Sequence, residues 1–343
     1  MRKLLNTLYV LSEDLYLALD NENVVAKRDG EIVGRIPLRT LESIVSFSYM
    51  GSSPKLMGAC ADHHVALSFF TPNGSFLARV QGRQQGNVLL RKRQYSISDD
   101  ESASVALARN MIAAKLYNSR WVLERACRDH GMRIDSAKVK DASCKVNALL
   151  QKVRTAETLS GLRGLEGDAA ATYFGVFNEL ILRDKDFFAF AGRTKRPPTE
   201  PINAMLSLFY VVLSNDCAAA LEGVGLDPYV GFLHADRPGR KSLALDLVEE
   251  FRAVVVDRFV LTAINNKVID RDDFHRRETG EVMISDGGRK KLFDAWQQRK
   301  REMLTHPFLG VKMERGLIPH AQSLLLARFV RGDLDGYPPF KWK

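Results

Sequence analysis

The hydrophobic period changes partway along this 343-residue chain, and that change constrains the fold more than any other feature. Before about residue 100, apolar side chains come in short runs: Leu4–Val10, Leu15–Leu19, Asn23–Lys27, Glu31–Ile36 and Ile44–Tyr49. Asp29-Gly30 between two of these runs is a hairpin signal, because the favoured two-residue turn needs residues that tolerate positive φ. Pro54–His64 reads as a short helix and Val65–Phe70 as a strand. Thr71-Pro72-Asn73-Gly74 then reads as a turn into a strand at Phe76–Val80. From about residue 101 the period becomes 3.6. Helical candidates run through Ser102–His130, Ala137–Ser160, Gly164–Leu182, Pro201–Gly223, Leu243–Asn265, Gly287–Leu304 and Ile318–Arg331. Helix following helix with no strand between argues a helical domain and not an α/β one. The expected architecture is α+β and multidomain. A small β-rich, β-sandwich-like domain spans 1–98, and a larger all-α domain spans 99–343. The boundary falls at Ser96–Ser102, where Asp99, Asp100 and Glu101 cluster.

Charge narrows the partner. The chain carries 50 Lys and Arg against 41 Asp and Glu, a net charge of +9, which excludes an acidic solvating protein and favours a polyanionic ligand. The first 100 residues hold 12 basic and 10 acidic side chains, so most of the excess lies in the helical region. The most apolar stretch, Met205–Leu213, is short of the roughly 20 residues a membrane helix requires. Asn6, Thr7, Glu13 and Asp14 break any signal-peptide core. Four dispersed cysteines, Cys60, Cys127, Cys144 and Cys217, make neither a disulfide framework nor a zinc motif. The expectation is a reduced, soluble, cytoplasmic protein with no membrane partner.

Two places in the helical region stand apart from ordinary helix filler. In Leu162-Arg163-Gly164-Leu165-Glu166-Gly167-Asp168, Glu166 is read at the start of a helix, beside the apolar seam of Leu165, Ala169, Tyr173 and Phe177. A lone carboxylate there is costly without a partner. It also reads as a solvated first-turn residue favoured by the helix dipole. The second place is Gly225 to Asp236, where Pro228, Gly231, Pro238 and Gly239 stop any continuous helix and put His234 in a turn. Ser242 is expected to cap the helix that follows. On that helix Asp246, Glu249 and Glu250 are related by i+3 and i+4, so they are expected to share one side and to repel without a cation or solvent between them. A solvated acidic face and a structural histidine would also account for these residues separately. Together, a Glu, a His and a helical acidic cluster are the donor set that suits Mg²⁺ or Mn²⁺ better than zinc, and nearby Arg and Lys suit phosphodiester chemistry on a polyanion.

These strings carry a family resemblance. Gly164-Leu165-Glu166-Gly167 with Ala170 and Tyr173, Asn203-Ala204-Met205-Leu206-Ser207 with Tyr210, Gly225-Leu226-Asp227-Pro228 with Gly231-Phe232-Leu233-His234, and Leu243–Leu247 on to Arg252 resemble the CRISPR-associated protein one family, the spacer integrases of CRISPR adaptation. The resemblance covers essentially the whole chain and is strongest to type I members, of subtype I-C. It implies a divalent-metal-dependent DNA endonuclease and integrase that joins 3′-hydroxyl ends of foreign DNA fragments to the CRISPR repeat by transesterification. The implied catalytic and metal-ligating residues are Glu166, His234 and Glu249, with Glu249 standing where several members have Asp. Asp246 is the implied acidic neighbour, acting behind the ligands or through water. The resemblance further implies Mg²⁺ or Mn²⁺ as the cofactor, double-stranded DNA as substrate, a homodimer formed through the β-rich domain, and a small ferredoxin-like CRISPR-associated partner subunit.

Candidate phosphate contacts are Arg237, Arg240, Lys241 and Arg252 around the site, and Arg193 and Arg196 in the Gly192–Pro198 loop. Arg289–Lys291 and Arg299–Arg301 form a possible basic stripe, equally readable as a solvated face. The aromatic C-terminal segment Tyr337–Lys343 is expected to dock on a partner. Two other functions fit the same residues: a nuclease for branched DNA repair intermediates, and a nucleic-acid-binding scaffold whose acidic groups are structural.

Overall fold

The computed structural model describes residues 6–72, 74–82, 87–194 and 197–342. Five strands come first: β1 (Thr7–Val10), β2 (Tyr16–Asp20), β3 (Asn23–Arg28), β4 (Glu31–Pro37) and β5 (Ser43–Ser46). Helix α1 (Pro54–Asp62) and strands β6 (Ala66–Phe70) and β7 (Phe76–Arg79) follow. Strands β2, β3 and β4 form an antiparallel sheet, and Asp29 and Gly30 at the β3–β4 turn have φ of 49° and 89°, as the Asp-Gly signal requires. The second sheet has the order β1-β5-β6-β7 and is mixed: β1, β5 and β6 run parallel and β7 antiparallel. Helix α1 is the crossover that parallel β5 and β6 need. Ser53 caps it by accepting from the Leu56 N–H, and Pro54 occupies its first turn. Leu17, Ile44, Leu56, Cys60 and Leu67, drawn from both sheets and α1, share one buried core. Asn73 of the expected turn lies outside the described residues, as do Leu4 and Leu5 of the first run. The turn still closes through the Gly74 N–H donating to the Thr71 carbonyl at 2.8 Å.

The helical region comprises α2 (Val88–Asp99), α3 (Glu101–His130), α4 (Ser136–Val153), α5 (Leu159–Gly175), α6 (Pro201–Gly223), α7 (Ser242–Phe251) and α8 (Arg258–Asn265). A single π turn, Arg252–Asp257, joins α7 to α8. Two short hairpins follow, interrupting the expected all-helical pattern: β8 (Phe274–Arg276) with β9 (Val282–Ile284), and, after α9 (Asp286–Arg301), β10 (Met303–Thr305) with β11 (Lys312–Glu314). Helix α10 (Ile318–Arg331) ends the helical order. Three-residue strands between polar turns leave no detectable alternation, so periodicity misses them. Periodicity also misses α2, which runs through the expected 98/99 boundary; its buried Gln94 donates to the carbonyls of Asp227 and Val230, both at 2.8 Å.

Capping residues correct two helix starts. Thr158 accepts from the Gly161 N–H, so α5 begins five residues before Gly164 and places Glu166 in mid-helix, away from the dipole's positive end. Ser242 does not cap α7; its hydroxyl donates to the Ala235 carbonyl at 3.2 Å instead. Helix α6 corrects the membrane argument as well. Its 23 residues are long and apolar enough to cross a membrane by length and composition, yet 67% of its most apolar window is buried inside the protein. That apolarity serves the core, where Phe209 on α6 packs on Phe259 and Trp296 with centroids 4.6 and 4.9 Å away. The same core reaches the β-rich part through Phe293, whose ring lies 4.3 Å from Tyr9 and 5.4 Å from Phe47.

Candidate metal centre

The turn that holds His234 is built around one carboxylate. Asp246 is fully buried and accepts from the backbone N–H groups of Phe232 and Leu233 through Oδ2, at 2.6 and 2.9 Å. Its Oδ1 accepts from the His234 N–H at 3.0 Å and faces His234 Nδ1 at 2.6 Å. Because an ionised carboxylate only accepts, it fixes the imidazole proton on Nδ1 and leaves the Nε2 lone pair for a ligand. Asp246 therefore acts on the imidazole, and both of its oxygens are already engaged. Gly231 permits the arrangement. A Cβ there would lie 2.7 Å from Asp246 Oδ2 and 2.9 Å from the Ser242 backbone carbon. Gly231→Ala is therefore expected to lower any His234-dependent reaction by about 10- to 100-fold, the range for disturbing a group that orients a ligand. A wild-type rate in a variant with unchanged circular dichroism would show that the contact relaxes at no cost.

His234 lines a cavity of about 380 Å³ together with Glu166 of α5, Glu249 of α7, Arg163, Arg237 and Arg240. Glu249 Oε1 accepts from Arg252 Nη1 at 2.9 Å, and its Oε2 lies 2.6 Å from Lys115 Nζ. Lys115, on α3, also pairs with Glu166 and so bridges the two carboxylates. Burial works against ionising Glu249, but Arg252, Lys115 and His234 outweigh it and hold the carboxyl well below the usual carboxylate range. Arg252 in turn lies over the Tyr210 ring, 4.2 Å from its centroid, and Tyr210 donates to Asp257 at the far end of the π turn. Burial raises Asp257 to about 6 despite those partners.

These donors fit a hard divalent cation: two carboxylates and an imidazole nitrogen of fixed tautomer are the oxygen-rich set that Mg²⁺ or Mn²⁺ takes. Glu249 Oε2 is buried without a well-directed hydrogen bond, an open acceptor facing the lysine. Among the described residues no three His, Cys, Asp or Glu side chains are drawn to metal-holding distance. Lys115 explains this, since its ammonium separates the carboxylates while neutralising them.

The three ligand candidates and Asp246 thus come together, and the remaining predicted residues divide. Glu250 leaves the acidic cluster: it does not line the cavity, and Tyr337, Gln322 and Phe340 donate to it instead. Arg237 and Arg240 line the cavity as expected of phosphate contacts, Arg237 exposed and Arg240 half-buried. Arg252 does not fit that role, being committed to Glu249 and Tyr210. Arg193 is likewise held within the protein, donating to Asn203 Oδ1 at 2.6 Å and lying over Tyr210. Lys241 stands apart from the cavity, 3.7 Å from the Phe76 centroid, with burial and Arg79 lowering it to about 8 against the pull of Glu222. Arg196 and Lys195 lie outside the described residues. Of the basic residues on α9, Arg289 pairs with Asp286, Lys291 with Asp273 and Lys300 with Asp216, while Lys290 and Arg301 are exposed. Sequence reasoning missed Lys115 and Arg163, the latter donating to the Leu233 carbonyl at 3.0 Å. Lys115 does carry a signal, as a single charge in the otherwise apolar run Ile112-Ala113-Ala114-Lys115-Leu116.

Residues 8–298 match the family described as CRISPR associated protein Cas1. A relative from Rhodospirillum rubrum, named CRISPR-associated endonuclease Cas1 2, is 49% identical over 347 residues, covering all of both chains. Among solved structures, a casposase bound to integration product superposes with a TM-score of 0.84 at 22% identity, over 98% of this chain and 94% of that one. A chain of a Cas6-RT-Cas1–Cas2 complex superposes with a TM-score of 0.82 at 23% identity, over 98% of this chain and 36% of that one. At such identities the two structures speak for the fold.

Proposed function

Since the chain belongs to the Cas1 family of CRISPR-associated proteins, we propose that it is a divalent-metal-dependent DNA endonuclease and integrase of CRISPR adaptation, of the subtype I-C kind. It joins 3′-hydroxyl ends of foreign DNA fragments to the CRISPR repeat. The observation that carries this reading is the convergence of Glu166, His234 and Glu249, from three separate elements, on one cavity rimmed by arginines. Those three residues would hold Mg²⁺ or Mn²⁺. When bound, the ion supplies the charge that polarises the phosphodiester and stabilises its developing negative charge. Asp246 keeps Nε2 of His234 turned outward, Arg163 holds the turn by donating to the Leu233 carbonyl, and Arg237 and Arg240 set the flanking phosphates against the cavity. Lys115 lies between the two carboxylates that would hold the cation and neutralises both. The edge strand β4 leaves Ile32 and Val33 about half exposed, which favours pairing of two β-rich domains in a homodimer. A small ferredoxin-like subunit completes the proposed assembly, in line with the Cas2 named with the related chain.

The test combines joining with a direct metal readout. In the presence of the small partner, Mn²⁺ is expected to yield joined fragment–repeat products that chelation abolishes; no joining with metal present overturns the reading. In a thermal melt of the protein alone, Mn²⁺ is expected to raise the melting temperature, and to do so at lower concentration in Lys115→Met, where the competing ammonium is gone. Equal half-effect concentrations in the two proteins would remove Lys115 from the site.

A further inference from the structure

Four arginines converge outside the cavity just described. Arg258 opens α8, Arg299 lies in the last turn of α9, Arg315 follows β11, and Arg125 belongs to α3; none lines the Glu166–His234–Glu249 cavity. One carboxylate, Glu302, serves two of them: its Oε2 lies 3.3 Å from Arg299 Nη1 and 3.3 Å from Arg315 Nη2. Asp129 is 3.2 Å from Arg125 but is shared with Arg128. Arg125 and Arg258 stack over the Trp342 ring, at 5.3 and 4.5 Å from its centroid, and line a depression of about 160 Å³.

The donors these arginines leave unused are informative. Nη1 of Arg258, Nε and Nη2 of Arg299 and Nε of Arg315 are all buried, and among the described residues none meets a hydrogen-bond acceptor. Each buried donor without a partner costs about 1–3 kcal/mol, and native structures rarely leave several together. On Arg299, whose side chain is only 13% exposed, the unused pair Nε and Nη2 is the side-on fork that matches two oxygens of one oxyanion. The positive excess shows in Arg258 as well. Burial first, then the charges of Arg299, Arg125 and Arg315, lower it to about 9, and Glu302 offsets only part of this. Arg315 is lowered by burial and by Arg299 in the same way.

We propose that Arg258, Arg299 and Arg315 form a phosphate-binding site, separate from the candidate metal centre, with the Arg299 fork as its principal contact. A tetrahedral oxyanion satisfies the unused donors and balances the arginine excess, beside a depression that Arg258 alone of the three lines. The phosphate comes either from a nucleic-acid backbone or from free phosphate. The inference does not depend on the proposed integrase activity.

Thermal melts of the full chain in sodium phosphate, against sodium chloride of equal ionic strength, test it. Phosphate is expected to raise the wild-type melting temperature by several degrees and to leave Arg299→Gln/Arg315→Gln unmoved. Glu302→Gln, which removes the competing carboxylate, is expected to lower the half-effect phosphate concentration several-fold. That change keeps the proposal testable if the double variant fails to fold. No phosphate-specific shift in the wild type, or an unchanged half-effect in Glu302→Gln, overturns the site. The salt dependence of duplex DNA binding then separates the sources. If the site holds a backbone phosphate, the slope of log affinity on log salt falls by about one in Arg299→Gln; if it holds free phosphate, the slope is unchanged while the thermal shift is lost.

Discussion

His234→Ala is expected to lower metal-dependent DNA joining and cleavage by more than about 100-fold, while duplex binding stays within a few-fold of wild type. The size follows from the geometry. Disturbing a group that merely orients a metal ligand costs about 10- to 100-fold, and this substitution removes the ligand nitrogen itself. Binding survives because the candidate phosphate contacts are Arg237 and Arg240 at the cavity rim, neither of which is positioned by the imidazole. The substitution also frees Asp246 Oδ1 from one of its two partners, but three backbone N–H groups still hold that carboxylate, so the turn persists. Joining-gel rates and a filter-binding isotherm on the same preparation check both halves. Joining at the wild-type rate would sink the ligand assignment. Equal loss of binding and joining would move His234 from chemistry to substrate recognition.

Glu250→Leu is expected to destabilise the protein by about 3 kcal/mol and to release the C-terminal segment. Glu250 is fully buried and accepts from the Tyr337 hydroxyl at 2.7 Å, the Phe340 N–H at 2.7 Å and Gln322 Nε2 at 3.0 Å. Leucine leaves at least the first two donors without an acceptor, at about 1–3 kcal/mol each. The loss is partly offset because the carboxyl is itself costly to bury: burial pushes it up to about 7 against those same hydrogen bonds. The neighbouring contacts then weaken together. Phe340 packs on Phe251 at 5.8 Å, and Asn118 donates to the Phe340 carbonyl at 2.8 Å. Limited proteolysis should cut the variant near Tyr337–Trp342 while the wild type resists, and chemical denaturation should report the lost stability. A tail that stays protected would show that its aromatic side chains dock without the carboxylate. These contacts also correct the expectation that the segment docks on a partner: its aromatic character is spent on its own chain, with Tyr337 and Phe340 almost fully buried.

Much of this protein is written locally. The change of hydrophobic period near residue 100 places a β-rich part before a helical part, and two helices, Pro201–Gly223 and Ile318–Arg331, have the bounds that periodicity predicts. Asp29-Gly30 specifies its hairpin because the turn needs positive φ and these two residues tolerate it without help from the rest of the fold. The ordered strings around Glu166, His234 and Glu249 also contain the residues that line one cavity. Short elements were not legible: β8 to β11 have three residues each, too few for a period.

What tertiary structure decides is direction and company. Asp246, Glu249 and Glu250 sit within one helical turn and look equivalent as a string, yet one orients a histidine, one faces a lysine and an arginine, and one anchors the C-terminal segment. Nothing in the string separates them, because apart from Arg252 their partners lie from 12 residues away (His234 from Asp246) to 134 away (Lys115 from Glu249, 249 − 115) and only packing brings those partners near. Lys115 stands out as a lone charge in an apolar run, but its role was not legible for the same reason: it acquires meaning only when two carboxylates from other helices meet its ammonium. Residue chemistry therefore determined which groups the site contains. The fold determined which of them face one another, since electrostatic and hydrogen-bond energies depend on distances of a few ångströms that sequence separation does not encode.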